Sequence, residues 1–257
     1  MAGEFIQCQY ETSIAVIKID RPEVLNAYND QLLTELYEVL AEVFARPEIG
    51  AVILTSSSNR AFSVGGDIDY LEKLNAHQAA ALSHKGQQIC DLIEQSSPAV
   101  IAAIDGYALG GGMEISLACD IRLASTRARF GQPEVKLGLI PAFGATQRLP
   151  RLIGIAEAKE LLFTGEIIDA ALAYELGLIN KVVTPRSLLT AARELALEIT
   201  AQSAAAVKMI KTAINKNYQE DAAAARNYEN ESFARCFDNE EHRRRFQELK
   251  KIIKDDK

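Results

Sequence analysis

The chain has 257 residues, 48% of them hydrophobic, and carries 35 Asp and Glu against 28 Lys and Arg, for a formal net charge of -7. That length and apolar content can bury a sizeable core, which argues against a disordered chain. The acidic balance argues against a broad nucleic-acid-binding face and suits small or shielded ligands.

Cys8, Cys90, Cys119 and Cys236 are far apart and form no CxxC pair, so free thiols in a reducing compartment are expected. His77, His84 and His242 fall in predicted helices without an HExxH pattern, and no metal site is expected. The first residues show no basic segment followed by an apolar one, and no apolar run approaches the roughly 18 residues of a membrane span. A cytoplasmic protein with no membrane partner is the expectation.

In chain order, Ile14 to Ile19 reads as a strand, and Asp20-Arg21-Pro22 opens a loop that runs to about Asn29. Leu32, Leu33, Leu36, Val39, Leu40 and Val43 then recur at helical spacing up to Pro47. Ala51 to Leu54 is a second strand, followed by a glycine turn, Val64-Gly65-Gly66-Asp67, and a helix from Ile68 to Leu74. A helix over Ala79 to Ile93 closes at Ser96-Ser97-Pro98, and the run Ala99 to Ile104 is a buried strand. A second glycine turn, Gly110-Gly111-Gly112, leads into a short helix whose first turn holds Glu114 and whose apolar side is Ile115, Leu117 and Ala118.

Ile121 to Ala124 is a further strand, and Glu134 follows Pro133 in a predicted turn. Pro141 to Thr146 opens a helix punctuated by Pro150 and Gly154; helices over Ala156 to Phe163 and Ala170 to Leu176 follow, then a last strand from Leu178 to Val183. Beyond Pro185 only helices are predicted: Leu188 to Ile199, Ala205 to Asn215, Ala222 to Phe237 and Asn239 to Ile253. The stripes Val207, Ile210, Ile214 and Phe246, Leu249, Ile253 exceed what a small appendage covers, which points to a partner subunit. The alternation of strands and helices predicts an α/β sheet with helical crossovers, whose ligand sites gather at the carboxyl ends of strands.

Three readings fit the triple-glycine turn. A phosphate cradle would ask for GxGxxG or GxxxxGK[ST], and neither is present. A structural reading makes the glycines a tight helix-to-strand joint, with Glu114 complementing the helix dipole by about 0.3 to 1 kcal/mol. An oxyanion hole uses the outward N–H groups at the helix start, where one well-aimed donor is worth roughly 2.7 to 4 kcal/mol in a transition state. That third reading needs a second donor and a second catalytic group. Glu134, read alone, is a solvated or capping acid.

Arg21-Pro22 with Leu25-Asn26-Ala27, Phe62 through Asp67, Gly106 through Asp120, Phe130 through Gly138 and Thr146-Gln147-Arg148-Leu149 resemble, in order, the landmarks of the crotonase (enoyl-CoA hydratase and isomerase) superfamily. The resemblance covers the chain from about Phe5 to its end. It implies a crotonase-like spiral of repeated ββα units over 1–195 and a C-terminal helical trimerisation region over 196–257, assembled as a homotrimer or as a homohexamer built from two trimers. It implies acyl-CoA substrates, with coenzyme A part of the substrate and no separate cofactor.

By the same resemblance the two oxyanion-hole donors are the N–H groups of Gly66 and Gly111, and the two hydratase acids are Glu114 and Glu134. Coenzyme A contacts map to Val24, Leu25, Ala27, Val64, Asp67 and Ile68. Three positions depart from the pattern. Asp69 stands where a lysine is common, Ala142-Phe143-Gly144-Ala145 replaces a more glycine-rich stretch, and the last residues lack a frequent aromatic beside Lys250 and Lys251. The presence of both acids makes an enoyl-CoA hydratase, adding water reversibly and syn to a 2-trans-enoyl-CoA to give a 3-hydroxyacyl-CoA, the activity that the resemblance implies; within the superfamily a double-bond isomerase or a specialised dehydratase is the alternative. A glycosidase also pairs two acids, but it leaves the glycine turns unexplained and the chain has no Trp for sugar stacking. An RNA-binding or scaffolding role conflicts with the overall acidity.

Overall fold

The computed structural model describes residues 3–219, 221–238 and 240–255, in two compact units, Met1–Thr200 and Ala201–Lys257. The first unit opens with an antiparallel hairpin, β1 (Ile6–Glu11) and β2 (Ile14–Ile19), a 3-10 turn at Pro22–Val24 and helix α1 (Asp30–Phe44). Asn29 caps α1 by accepting from the Leu32 N–H at 2.9 Å.

Three successive coils then follow one plan, a long strand, a three-residue strand and a helical segment. The first is β3 (Ala51–Ser56), β4 (Ala61–Ser63), α2 (Ile68–Leu71) and α3 (Ala76–Gln95); the second is β5 (Ala99–Ile104), β6 (Tyr107–Leu109) and α4 (Gly111–Ala118). The third is β7 (Ile121–Ser125), β8 (Arg129–Gly131), a 3-10 turn at Pro133–Leu137, α5 (Ala145–Ile153) and α6 (Ile155–Thr164). Then come β9 (Ile167–Asp169), α7 (Ala170–Glu175), β10 (Lys181–Val183) and α8 (Leu188–Thr200).

The five long strands and the short β10 build one sheet in the order β1-β2-β3-β5-β7-β10, and the other short strands a second in the order β4-β6-β8-β9. Only the β1/β2 and β8/β9 pairs are antiparallel. β3 and β5 read as continuous apolar runs because both faces are covered. Val52, Leu54, Val100, Ala102 and Ile104 join the main core with α1, α3 and α4. Ile53, Ile101, Ala103 and Leu123 pack with Leu188, Ala192 and Ala196 of α8, and α8 accordingly belongs to the first unit.

Several details differ from the periodicity. The glycine turns follow the three-residue strands β4 and β6, not the long strands directly; three residues are too few to show an alternation. The last strand is only Lys181–Val183, paired with β7, because the N–H groups of Leu178 and Ile179 turn back to the Ala173 carbonyl and close α7. The helix from Ile68 stops at Leu71. Helix α4 is buried on every side, not on one face.

The second unit comprises α9 (Ala204–Gln219), α10 (Ala222–Arg235) and α11 (Glu241–Asp255). Asp221 caps α10 by accepting from Ala223 and Ala224 at 2.8 and 3.0 Å. Ile210, Ile214, Phe233, Phe237 and Phe246 are exposed. Of the predicted stripe, the Leu249 and Ile253 side chains lie outside the described residues, as does that of Lys251. Among the described residues no helix is long and apolar enough to cross a membrane.

Gly112 is what lets α4 lie against β4, since a Cβ there would stand 2.3 Å from the Ser63 carbonyl oxygen. Gly112→Ala is therefore expected to lower unfolding free energy by about 1 to 3 kcal/mol as an overpacking change. Denaturant titration checks this; a midpoint equal to that of the parent would contradict it.

Candidate active site

The site begins with two short strands that are parallel neighbours. Ala61 pairs with Tyr107 and Ser63 with Ala108, so the glycine turns leaving β4 and β6 run side by side. Gly65 has φ +87°, and a Cβ there would lie 2.9 Å from the Leu109 carbonyl oxygen and 3.0 Å from the Gly111 nitrogen. Gly110 has φ +51°, and a Cβ there would lie 2.9 Å from Glu134 Oε1 and 3.8 Å from Gly65 Cα. Backbone thus meets backbone, in conformations that favour glycine. Among the described hydrogen bonds, none engages the N–H of Gly66 or of Gly111. Gly111 opens α4, where N–H groups have no partner within the helix.

The loop after β2 clamps this turn from the other side. Tyr28 N–H donates to the Gly65 carbonyl at 2.6 Å, Asp67 N–H to the Tyr28 carbonyl at 2.9 Å, and Val64 N–H to the Leu25 carbonyl at 3.2 Å. Asn26 holds the loop in shape. Its φ is +58°, its side-chain nitrogen donates to the carbonyls of Ala61 and Phe62 at 2.9 and 3.1 Å, and its side-chain oxygen accepts from Arg21 N–H at 2.8 Å.

Glu114 is 1% exposed, and the loop before α5 wraps around its carboxylate. Phe143 and Ala145 N–H each donate to Oε1 at 2.8 Å, and Ala142 N–H reaches Oε2 at 3.4 Å. Burial pushes this carboxyl above its ordinary range, while the N–H groups of Ala145, Phe143, Ala142 and Gly144 pull it back. The Phe143 ring fills the notch between α3 and α4. A Cβ on Gly86 would stand 2.1 Å from that ring and one on Gly111 2.8 Å from it, and the ring stacks on Tyr28 at 6.4 Å.

Glu134, half-buried in the 3-10 turn after β8, meets the second glycine turn at Gly110. Its carboxyl is pushed up to about 7, first by burial and further by the Glu114 charge, against a downward pull from its own backbone N–H. Gln132 is buried beside it. Turned with its amide nitrogen towards the acid, it donates to Oε1 at 2.9 Å and Oε2 at 3.1 Å.

The remaining sequence candidates line the entrance loop and the start of α2. Val24 ends the Pro22–Val24 turn with 36% exposure, Leu25 has φ +56°, and Ala27 is buried. Val64 is half-buried, and Ile68 is 63% exposed on α2. The Asp67 carboxylate is committed elsewhere, paired with Arg21 at 2.7 Å and capping α2 through Tyr70 N–H at 3.3 Å. Asp69 is exposed in the first turn of α2, and Lys250 is exposed on α11. Asn26 and Gln132 were not legible as site elements, and the Ala142–Ala145 stretch reads in the sequence as shaping the acyl pocket, not as the peptides that grip Glu114. For Asn26 a signal existed, since Asn tolerates the left-handed region and bonds to nearby backbone. Among the described residues no group of three or more His, Cys, Asp or Glu is placed to hold a metal ion.

Two unengaged N–H groups beside one buried and one half-buried acid can hold an oxygen that gains negative charge while protons move next to it. That is equipment for enolate-like chemistry on a carbonyl. The family model for enoyl-CoA hydratase/isomerase matches residues 9–253. The chain is 43% identical over 233 residues to the short-chain-enoyl-CoA hydratase of Clostridium acetobutylicum, spanning 91% of this chain and 89% of that one. It is 41% identical over 237 residues to the crotonyl-CoA hydratase of Syntrophomonas wolfei, spanning 92% and 91%. The crystal structure of an enoyl-CoA hydratase from Bacillus anthracis matches with a TM-score of 0.93 at 35% identity, over 97% of each chain. The chain belongs to the enoyl-CoA hydratase/isomerase family and has the crotonase fold.

The raised Glu134 carboxyl bears on stability. Between its ordinary 4.5 and about 7 the folded chain keeps a proton that the unfolded chain has released, so unfolding free energy falls as pH rises through that window. Glu134→Gln removes the penalty. Its melting temperature relative to the parent is expected to be higher at pH 8 than at pH 5 in paired thermal scans. An identical difference at both pH values would refute the assignment.

Proposed function

We propose that the chain is an enoyl-CoA hydratase, a hydro-lyase that adds water reversibly across the double bond of a 2-trans-enoyl-CoA to give a 3-hydroxyacyl-CoA. The observation that carries this reading is the contact between the two glycine turns, which brings unengaged N–H groups together with Glu134 at Gly110 and Glu114 one helical turn on. The thioester oxygen sits between the N–H groups of Gly66 and Gly111. As the water oxygen bonds to C3, one of its protons passes to Glu114 and the double-bond electrons move towards the thioester oxygen. Collapse of that enolate-like charge takes a proton onto C2 from Glu134, which also positions the water. The N–H groups and carboxyls together handle the developing charge and both proton transfers, so no separate cofactor enters.

The coenzyme A portion runs along the loop of Val24, Leu25 and Ala27 and the segment Val64, Asp67 and Ile68. There it meets backbone groups, since the Asp67 carboxylate is already paired. Double-bond migration requires only one acid to carry a proton between two carbons. Two acids at one site, one gripped by N–H groups and one with its carboxyl near 7, favour hydration.

Family membership suggests assembly as a homotrimer, or as a hexamer of two trimers, and the apolar surface of the C-terminal unit supports burial against a partner subunit. Ile210, Ile214, Phe233, Phe237 and Phe246 are each about half exposed or more, which is costly for an isolated chain. Light scattering coupled to size-exclusion chromatography is expected to give three or six times the chain mass. A monomer would overturn this assembly.

Glu114→Gln and Glu134→Gln are each expected to bind acyl-CoA nearly as the parent does while hydrating crotonyl-CoA at least about 100-fold more slowly. With the parent, kcat/KM for hydration falls as pH rises through about 7, because Glu134 must begin protonated; the reverse dehydration shares that transition state and exchanges no net proton with solvent, so it falls over the same range. Steady-state rates with labelled water read both effects. Parent-like turnover in either variant, or double-bond migration without label uptake, would remove the reading.

A further inference from the structure

The polar stripe on α3, Ser83, Gln87, Asp91 and Glu94, has the i, i+4, i+8, i+11 spacing of a solvated helix face. In the structure it has another task. Ser83 Oγ and Gln87 Nε2 donate to the Ala142 carbonyl at 2.8 and 3.0 Å. Glu94 holds the Arg148 guanidinium on two sides, Nε to Oε1 at 2.8 Å and Nη2 to Oε2 at 2.9 Å, with Asp91 at 3.2 Å. Arg148 Nη1 in turn donates to the Phe143 carbonyl at 2.8 Å.

Those two carbonyls are the rear ends of two consecutive peptide groups. The Ala142–Phe143 peptide presents its N–H to Glu114 at 2.8 Å, and the Phe143–Gly144 peptide lies between the Phe143 and Ala145 N–H groups that both donate to the same carboxylate. The first peptide therefore has donors at its carbonyl end and the acid at its amide end, and the second is held by Arg148 between two donors to that acid. Donors behind a peptide fix its plane and polarise it, so that its N–H becomes a stronger and better-aimed donor.

We propose that Ser83, Gln87 and Arg148 are positioning residues that set the orientation and proton affinity of Glu114 through the two peptides of the Ala142–Gly144 loop. This deepens the hydratase reading and rests on Glu114 being one of its acids. A carboxylate that must accept a proton from water and later release it has to be held in one rotamer. Within the loop of Ala142, Phe143, Gly144 and Ala145 the Phe143 ring is anchored between α3 and α4, but a ring contact alone does not fix the planes of the peptides on either side of it. The stripe on α3 and the Arg148 fork on α5 supply it from behind.

The experiment follows Glu114 itself as well as turnover. The other titratable groups facing it are Glu134 from the 3-10 turn, Tyr28 from the entrance loop and Cys90 from α3. Spectra are therefore recorded in a Glu134→Gln background with 13C-labelled Glu carboxyls, the Glu114 signal being assigned by its loss in Glu114→Gln. Ser83→Ala combined with Gln87→Met, and separately Arg148→Lys, are expected to move the Glu114 titration to higher pH. In the otherwise parental chain they are expected to lower kcat for crotonyl-CoA hydration about tenfold with KM within twofold.

A Glu114 titration that stays in place while melting temperature drops would reduce these residues to fasteners between α3 and α5 and overturn the proposal. The Ser83 and Gln87 changes lie on a half-buried and an exposed position, so they remain informative if Arg148→Lys fails to fold. If Glu114→Gln keeps parental turnover, the hydratase role of that acid fails. The carboxyl titration then still decides whether the three residues govern it.

Discussion

The site depends on one close approach, the backbone of Gly65 against the backbone of Gly110 and Gly111. A side chain at Gly65 would have its first carbon 2.9 Å from the Leu109 oxygen, and the two turns would have to part. The donors proposed at Gly66 and Gly111 would then be drawn apart, and Glu134, which rests against Gly110, would lose its seat. Everything nearby serves to hold that approach. β4 and β6 pair in parallel so that the turns leave in the same direction, Gly112 lets α4 settle onto β4, and Asn26 presses the entrance loop against β4 from outside.

Around this contact the chain sets two identical side chains in unlike surroundings. Burial raises the proton affinity of both Glu114 and Glu134. Four backbone N–H groups oppose the rise at Glu114, whereas Glu134 has its own N–H and, in one orientation, the Gln132 amide. Two carboxyls with separate proton affinities can give and receive in one cycle, which two equivalent acids do poorly. The division of labour comes from what the backbone offers each acid, since the residue type is the same.

What could be read from the sequence follows from how far each signal travels along the chain. The long strands β2, β3 and β5 were legible because both their faces are buried, and α1 because its apolar residues keep one period. The glycine turns stood out as punctuation, and the ordered landmarks around Phe62 through Asp67, Gly106 through Asp120 and Phe130 through Gly138 carried the family and the four residues proposed for the centre of the site. The three-residue strands β4, β6, β8 and β9 were not legible, because their length gives no alternation and their pairing is with strands distant in sequence. The role of Ser83, Gln87 and Arg148 was hidden for a related reason. A polar stripe on an amphipathic helix is indistinguishable from a wet surface until the peptides it touches, some 55 to 60 residues away, are folded against it.

The three coils have a further consequence for how such a site can change. The first coil supplies Gly66, the second Gly111 and Glu114, and the third Glu134 and the peptides that grip Glu114. In the proposed reading the hold on the carbonyl oxygen is made by main chain from the first two windings, and it does not draw on the Glu134 carboxyl of the third. A scaffold of this kind can exchange that one proton carrier while keeping its grasp of the thioester. One winding can therefore be rewritten for a new reaction while the others continue to seize the same class of molecule.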